Sequence, residues 1–190
     1  GDLLMAVGKG ATSLVELIMK QFGGATGTAG LAGLLAAGQS DESEAGFVER
    51  LVQELEQLIE KEGAETIAAF IAEPIGGAAG VVVAPDIYYP AVQNVLRKHD
   101  ILFWADEVIC GFGRTGSDFG STTMGIKPEL MSLAKQLSAA YIPVSAAIIP
   151  GFMYEAMREP SNQLGIFGHG YTYTGHPVAA AAALKAIEIS

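Results

Sequence analysis

The sequence lacks several features that would place it in particular classes of protein. It contains one cysteine, Cys110, which excludes an intramolecular disulfide and a multi-cysteine metal site and favours a reducing compartment such as the cytoplasm. Basic residues are scarce: 11 Lys and Arg stand against 21 Asp and Glu, for a formal net charge of −10. Because nucleic acids and anionic membranes attract basic surfaces, this balance argues against both as partners. No apolar run approaches the ~18 residues that span a bilayer.

The first residues also lack a basic start followed by an apolar stretch, so we expect no secretory signal peptide within residues 1–10. Residues 1–38 are rich in Gly and Ala. Because Gly in a helix costs roughly 1 kcal/mol relative to Ala, the run from Gly23 to Gly30 predicts a loop or a loose helix. We leave this N-terminal segment unassigned. Half of the 190 residues are hydrophobic, which is enough to form the core of one domain of ordinary size.

Helical and strand patterns alternate along residues 39–190. Apolar residues at steps of three and four predict amphipathic helices, one that opens at Ser43 and others over 88–98 and 178–189. Short apolar runs predict strands at 66–72, 101–106, 130–134 and 144–149. Strands that alternate with helices predict a three-layer α/β fold with a mostly parallel sheet.

Two polar residues lie where predicted strands end. Asp106 closes the run from Ile101, and Lys135 directly follows the run from Leu130 to Ala134. In parallel sheets, ligands bind outside the carboxyl ends of the strands, so both residues are candidates for a site. A desolvated lysine has a lowered pKa and can act as a nucleophile. The alternative is a lysine whose stem follows the apolar surface while its ammonium group reaches solvent.

Two motifs suggest nucleotide binding but lack the required context. Asp106-Glu107 after an apolar strand resembles the acidic end of an NTPase strand, but no phosphate-binding loop is present, and Gly8-Lys9-Gly10 has the wrong spacing. Residues 111–116 read G-x-G-x-x-G. That fingerprint needs a helix immediately after it to receive the pyrophosphate. Residues 117–127 show no helical pattern, so we expect a turn-rich loop.

The remaining candidate ligands do not form a metal-binding pattern. His169 and His176 flank a Gly-rich turn, but no carboxylate or cysteine accompanies them at ligand spacing. We therefore expect no metal site. Cys110 is expected to be a small buried residue rather than a catalytic thiol.

Several motifs, taken in order, resemble those of one enzyme family. They are the runs 70–75 (FIAEPI), 104–116 (WADEVICGFGRTG), 125–129 (GIKPE), 134–138 (AKQLS), 141–143 (YIP) and 168–177 (GHGYTYTGHP). Together they closely resemble the class III aminotransferases of the omega-amino acid:pyruvate group. These are fold-type I enzymes that depend on pyridoxal 5'-phosphate (PLP). The resemblance covers residues 39–190. It implies that these residues form the large, cofactor-binding domain of the family, with its mostly parallel sheet, in incomplete form.

The resemblance assigns roles to residues at the strand ends. Lys135 matches the lysine that forms an internal aldimine with PLP, and Asp106 matches the acid that pairs with the pyridinium nitrogen. Val108 matches the apolar residue packed on the face of the ring. The side-chain types agree with these roles, because a carboxylate keeps the ring nitrogen protonated and a released lysine can move a proton.

Three further residues are implied to contact the cofactor. Thr172 matches the threonine that reaches the cofactor phosphate of a neighbouring subunit, with Tyr171 beside it, and a hydroxyl is a suitable donor to that phosphate. This implies a homodimer or a higher self-association. Glu73 either orients the site or caps a strand end.

The implied activity is transfer of an amino group from an amine or amino acid to a keto acid such as pyruvate. We expect the C-terminal small domain and the N-terminal phosphate loop of the family to be absent from these 190 residues. Ala140 stands where the family often has Gly. The alternative function is therefore a truncated, non-catalytic remnant of the domain that binds PLP weakly or not at all.

Overall fold

The computed structural model describes residues 42–77 and 80–190, so the prediction for residues 1–38 lies outside the described residues. The secondary structure is, in chain order, α1 (Glu44–Glu62), β1 (Ala69–Ala72), α2 (Tyr88–Lys98), β2 (Leu102–Asp106), α3 (Gly120–Thr123), β3 (Leu130–Leu133), β4 (Ala146–Ile148), α4 (Gly151–Leu164) and α5 (Pro177–Ile189). Two 3-10 turns, Ala64–Thr66 and Lys135–Ser138, precede β1 and follow β3.

The four strands form one sheet in the order β1-β2-β3-β4. β1 pairs in parallel with β2, and β2 pairs in parallel with β3. β4 joins β3 antiparallel, and its three residues are exposed. The predicted α/β class with a mostly parallel sheet is confirmed. Because β1, β2 and β3 run the same way, their carboxyl ends meet at one edge.

Helix α1 begins where the sequence predicts. The Ser43 hydroxyl accepts a hydrogen bond from the Gly46 N–H (3.1 Å), which satisfies one of the free amides at the helix start. Gly63 ends the helix with φ of +84°, a conformation that Gly adopts without steric cost. α1 therefore has a signal at each end that can be read from the sequence.

The main hydrophobic core lies between the sheet and helices α1 and α2. Its buried members include Leu55 and Ile59 from α1, Val92 and Leu96 from α2, and Phe103 from β2. Each such side chain contributes about 1.5–3 kcal/mol when buried. Side chains alternate along a strand, so the core faces one side of β2, while Leu102, Trp104 and Asp106 face the other side and are half-buried.

The structure differs from the prediction in four places. The first strand begins at Ala69 rather than residue 66, because Ala64–Thr66 forms a 3-10 turn closed by the Thr66 hydroxyl. The strand expected over 144–149 covers only Ala146–Ile148. Residues 117–127, expected to be a loop, contain the four-residue helix α3. Helix α4 was not predicted, and it contains Pro160, which usually interrupts a helix.

Candidate active site

The carboxyl ends of β2 and β3 bring Asp106 beside Ser132. These residues are paired in the parallel register, as are Trp104 and Leu130. Alternation along the strands puts Trp104, Asp106 and Ser132 on the sheet face opposite the main core. The strand that ends at Asp106 and the strand that precedes Lys135 were predicted to be neighbours, and their pairing in the sheet confirms this.

Asp106 presents a half-buried carboxylate at this edge. Its Oδ1 accepts a hydrogen bond from the backbone N–H of Val108 at 3.1 Å, which is a local turn closed by the side chain. Oδ2 makes no hydrogen bond among the described residues. Val108 is itself half-buried. One oxygen of Asp106 therefore sets the direction of the carboxylate, and the other is free to receive a donor.

Lys135 begins the 3-10 turn that follows β3, two residues after the strand ends. Its φ is +45°, in the left-handed region that is uncommon for residues other than Gly. The Leu137 N–H donates to the Ala134 carbonyl (2.9 Å) and closes the turn. Leu137 and Ser138 are buried, whereas Lys135 is exposed. Two alternatives were open for Lys135, a desolvated lysine and one whose ammonium group reaches solvent, and the exposed side chain agrees with the second.

The segment behind Lys135 is held by a buried hydroxyl. Ser138 is 1% exposed, and its Oγ donates to the Ile142 carbonyl at 2.6 Å. Ala139 and Ala140 both have positive φ values, +49° and +64°. Three residues of this short stretch are thus left-handed without being Gly, a concentration of strain that is typical of functional sites.

Glu107 was not singled out by the sequence motifs, yet it is the most completely buried charged side chain described. It is 0% exposed. Its Oε2 accepts from the Gly120 N–H (2.9 Å) and its Oε1 accepts from the Ser121 N–H (2.6 Å). These are the first N–H groups of helix α3, which begins four residues after Gly116, and Glu107 occupies them. The loop at 111–116 is therefore not followed directly by a helix with free N–H groups, as a dinucleotide fingerprint requires.

Glu73 lies at the end of β1, on the same edge of the sheet. Its Oε2 accepts from the Gly77 N–H (2.7 Å), and its carbonyl accepts from the Tyr89 hydroxyl (2.6 Å). Of the two roles considered for Glu73, these contacts are those of a residue that caps the strand end and the following turn.

No hydrogen bond joins Thr172 to Asp106 or Lys135 among the described residues. Tyr171 and Thr172 are exposed, and the Tyr171 N–H donates to Thr174 Oγ1 at 2.7 Å. A cavity of about 810 Å³ lies between the segment before β4 and the start of α5. Its lining includes Val144, Tyr171, Tyr173 and His176, but neither Asp106 nor Lys135.

Cys110 is buried, and its Sγ donates to the Ile75 carbonyl at 3.4 Å. Burial raises the pKa of this thiol, which makes it a poor nucleophile. Across residues 42–77 and 80–190, no three His, Cys, Asp or Glu side chains are grouped so as to hold a metal ion. In the same part of the chain no helix is long and apolar enough to cross a membrane.

The fold and the site define an α/β protein that presents an acid and an amine at one edge of its sheet. The family model described as "Aminotransferase class-III" matches residues 3–190. The chain therefore belongs to the class III aminotransferases, as its motifs predicted.

Relatives of known activity cover most of this chain. It is 54% identical over 148 residues to gamma aminobutyrate transaminase 2 of Solanum lycopersicum, which is 78% of this chain and 32% of that protein. Vanillin aminotransferase of Capsicum frutescens is equally similar over the same shares. The solved omega transaminase of Pseudomonas jessenii in complex with PMP is 54% identical, with a TM-score of 0.77 over 80% of this chain and 34% of the other. The chain spans about a third of the length of these relatives.

Proposed function

We propose that the protein is a PLP-dependent aminotransferase that moves an amino group from an amine or amino acid to a keto acid such as pyruvate. Membership of the class III family supports this proposal. So do the names of the relatives, which are transaminases of gamma aminobutyrate and of vanillin. The observation that carries it in the structure is that Asp106 is the last residue of β2 and that Lys135 follows β3, the adjacent parallel strand.

The residues at this edge fit the cofactor by their chemistry. Asp106 has one carboxylate oxygen fixed by the Val108 N–H and another directed to no protein donor among the described residues. A carboxylate of this kind suits a protonated ring nitrogen, because charge-assisted hydrogen bonds are roughly twice as strong as neutral ones. Lys135 adds an exposed primary amine. When bound, the PLP ring supplies an electron sink for cleavage of the bond between the substrate's α-carbon and hydrogen.

Each residue then has a distinct task. With PLP bound, Asp106 would hold a proton on the ring nitrogen, Val108 would pack against the ring face, and the Lys135 amine would hold the cofactor between turnovers. The same amine would be the base that takes and returns the α-proton. The Lys135 side chain is exposed, in a turn with left-handed backbone whose other residues Leu137 and Ser138 are buried.

The assembly and the compartment are part of the same proposal. We propose that the protein works as a homodimer, with Thr172 donating to the phosphate of the cofactor in the partner subunit and Tyr171 beside it. The exposure of Thr172 supports a role toward a neighbouring subunit. A cytoplasmic location is supported by the single, unpaired Cys110.

The decisive experiment compares two lysine variants of the full-length protein. Lys135→Ala should abolish the near-visible absorbance of bound PLP and its covalent retention after borohydride reduction, while Lys127→Ala should leave both unchanged. Lys127 is the matched control because it is also exposed and near the sheet but follows no strand. Equal absorbance in wild type and Lys135→Ala would refute the assignment. Absence of bound PLP from the wild type would instead favour the alternative of a chain that holds the cofactor poorly.

A further inference from the structure

We propose that Glu107 is a positioning residue that fixes the direction of the Asp106 carboxylate. This inference rests on the proposed function, in which Asp106 meets the ring nitrogen of the cofactor. Glu107 directly follows Asp106 and is 0% exposed. Burying a carboxylate costs free energy unless donors replace its lost hydration. The two N–H groups that bind Glu107 offset this cost, so the residue has a specific role in the structure and does more than fill space.

Every polar atom of Glu107 has a partner. Its N–H donates to the Ser132 carbonyl (3.0 Å), which continues the β2–β3 ladder by one residue. Its carbonyl accepts from the Gly111 N–H (2.9 Å). Its two carboxylate oxygens accept from Gly120 and Ser121. The backbone on the carboxyl side of Asp106 is therefore fixed to β3, to the following turn and to helix α3 at once.

Close packing prevents this arrangement from shifting. A Cβ atom added at Gly120 would lie 2.5 Å from the Cβ of Cys110 and 3.3 Å from Oε2 of Glu107. One added at Gly111 would lie 2.9 Å from the Glu107 carbonyl oxygen. Both glycines thus allow the backbone to approach Glu107 more closely than any other residue could.

The hydrogen bond from Val108 to Oδ1 of Asp106 spans only two residues. It holds the carboxylate against the local turn, so the direction of the carboxylate follows the direction of that stretch of backbone. Because an extended chain sends successive side chains to opposite faces, Glu107 is anchored on one side while Asp106 projects from the other. If the contacts of Glu107 change, the adjoining backbone shifts and the direction of the Asp106 carboxylate changes with it.

The test is a double-mutant cycle in the full-length protein with bound PLP. Glu107→Gln keeps the size of the side chain but replaces one accepting oxygen with an NH2 group that faces an N–H donor. We expect kcat to fall about 10-fold, as for other residues that orient a ligand from behind. We also expect the pH titration of the PLP absorbance to move in the same direction as in Asp106→Asn. The double variant should be no worse than Asp106→Asn alone, because the two residues act on one interaction.

Glu129→Gln is the matched control. The Oε2 of Glu129 also accepts a backbone N–H of β2, that of Phe103 at 2.7 Å, but at the opposite end of the strand from Asp106. This variant should leave the absorbance titration unchanged, and its effect on kcat should add to that of Asp106→Asn. If Glu107→Gln does not fold, Glu107→Asp, which keeps the charge but is one methylene too short to reach both N–H groups, goes through the same cycle.

The outcomes separate this inference from the proposed function. Additive effects of Glu107 and Asp106 on kcat, or a lower melting temperature with an unchanged PLP titration, would overturn the positioning role and leave a stabilising one. If Asp106→Asn alone changes neither the PLP spectrum nor the dissociation constant of PLP, the role of Asp106 itself is wrong. Non-additive kcat effects with a matching shift in titration support the inference.

Discussion

The indole Nε1 of Trp104 donates a hydrogen bond to the Oγ of Ser132 at 2.8 Å, across the junction of β2 and β3. The pair is diagonal, because Trp104 is in register with Leu130 and Ser132 with Asp106. Both side chains lie on the face that carries Asp106. A polar contact between two strands thus stands directly beside the candidate acid, and it ties the two strands whose ends form the site.

Removal of the Trp104 Nε1–H donor should lower the stability of the β2–β3 pair while an aromatic ring still fills the space. Trp104→Phe retains an aromatic ring but loses the Nε1–H, so we expect the free energy of unfolding to fall by about 0.5–1.5 kcal/mol for the hydrogen bond, plus a contribution from the smaller ring. Urea unfolding of Trp104→Phe, Ser132→Ala and the double variant gives the coupling energy of the Trp104–Ser132 hydrogen bond, separate from the effect of the smaller ring. A coupling energy of zero between the two substitutions would contradict the contact.

Substitution of Ala140 by Gly should stabilise the protein. Its φ of +64° costs an L-residue roughly 1–2 kcal/mol. Gly avoids this cost, but it destabilises the folded state by about 0.4–1 kcal/mol because the unfolded chain gains freedom. We expect Ala140→Gly to raise the free energy of unfolding by about 0.5 kcal/mol, seen as a small rise in the melting temperature. Ala181→Gly, at an exposed position in α5, should have the opposite sign and cost about 1 kcal/mol. Destabilisation by both changes would show that position 140 is not left-handed.

Ser138→Ala should destabilise the turn that carries Lys135. It deletes the donor to the Ile142 carbonyl and leaves that oxygen without its partner in a site where Ser138 is 1% exposed, at an expected cost of about 1–3 kcal/mol. Ser161→Ala is the matched control, since its Oγ donates to the Met157 carbonyl at 2.7 Å within helix α4. Such a bond to the preceding turn contributes little to a helix, so chemical denaturation should show a change below about 0.5 kcal/mol. Equal losses in the two variants would argue against a special role for Ser138.

Stability should fall in alkaline solution because of two tyrosines. Burial raises the pKa of Tyr88 to about 12 and also raises the pKa of Tyr89. Below pH 10 both states keep these protons and the tyrosines add no pH dependence. Between about pH 10 and 12 the unfolded chain releases protons that the folded chain retains, so the free energy of unfolding falls by about 1.4 kcal/mol per pH unit for each such tyrosine.

Denaturant unfolding at a series of pH values measures this slope. Tyr88→Phe should reduce it, because one of the two contributing groups is removed, and Tyr141→Phe, with a ring that is 89% exposed, is the control. A slope unchanged by Tyr88→Phe would contradict the effect of burial at that ring.

The sequence predicts the parts of this fold that depend on local pattern. The strands ending at Asp106 and near Lys135 are apolar runs of the right length, and Ser43 is a capping residue at the required place, so their positions were found without tertiary information. Helix α4 was missed because Pro160 breaks the pattern that normally identifies a helix. The left-handed backbone at Lys135, Ala139 and Ala140 was also missed, since L-residues rarely adopt it and their identities give no sign of it.

Glu107 shows why the site itself was only partly predictable. Its identity is visible in the motif, but its partners, the N–H groups of Gly120 and Ser121, lie in a helix of four residues that carries no sequence pattern. The role of a buried carboxylate depends on donors brought to it by the fold. Sequence pattern identified the acid that faces outward, Asp106, and not the neighbour that faces inward.

The contact between Gly120 and Cys110 also limits how this segment can evolve. Any side chain at position 120 would begin with a Cβ atom 2.5 Å from that of Cys110, too close for either residue to adjust by rotation. The same Cβ atom would lie 3.1 Å from the Cβ of Pro74, so glycine at 110 alone would not make room for it. The constraint therefore acts on position 120, and a library meant to diversify this segment should keep Gly120 while it varies Cys110.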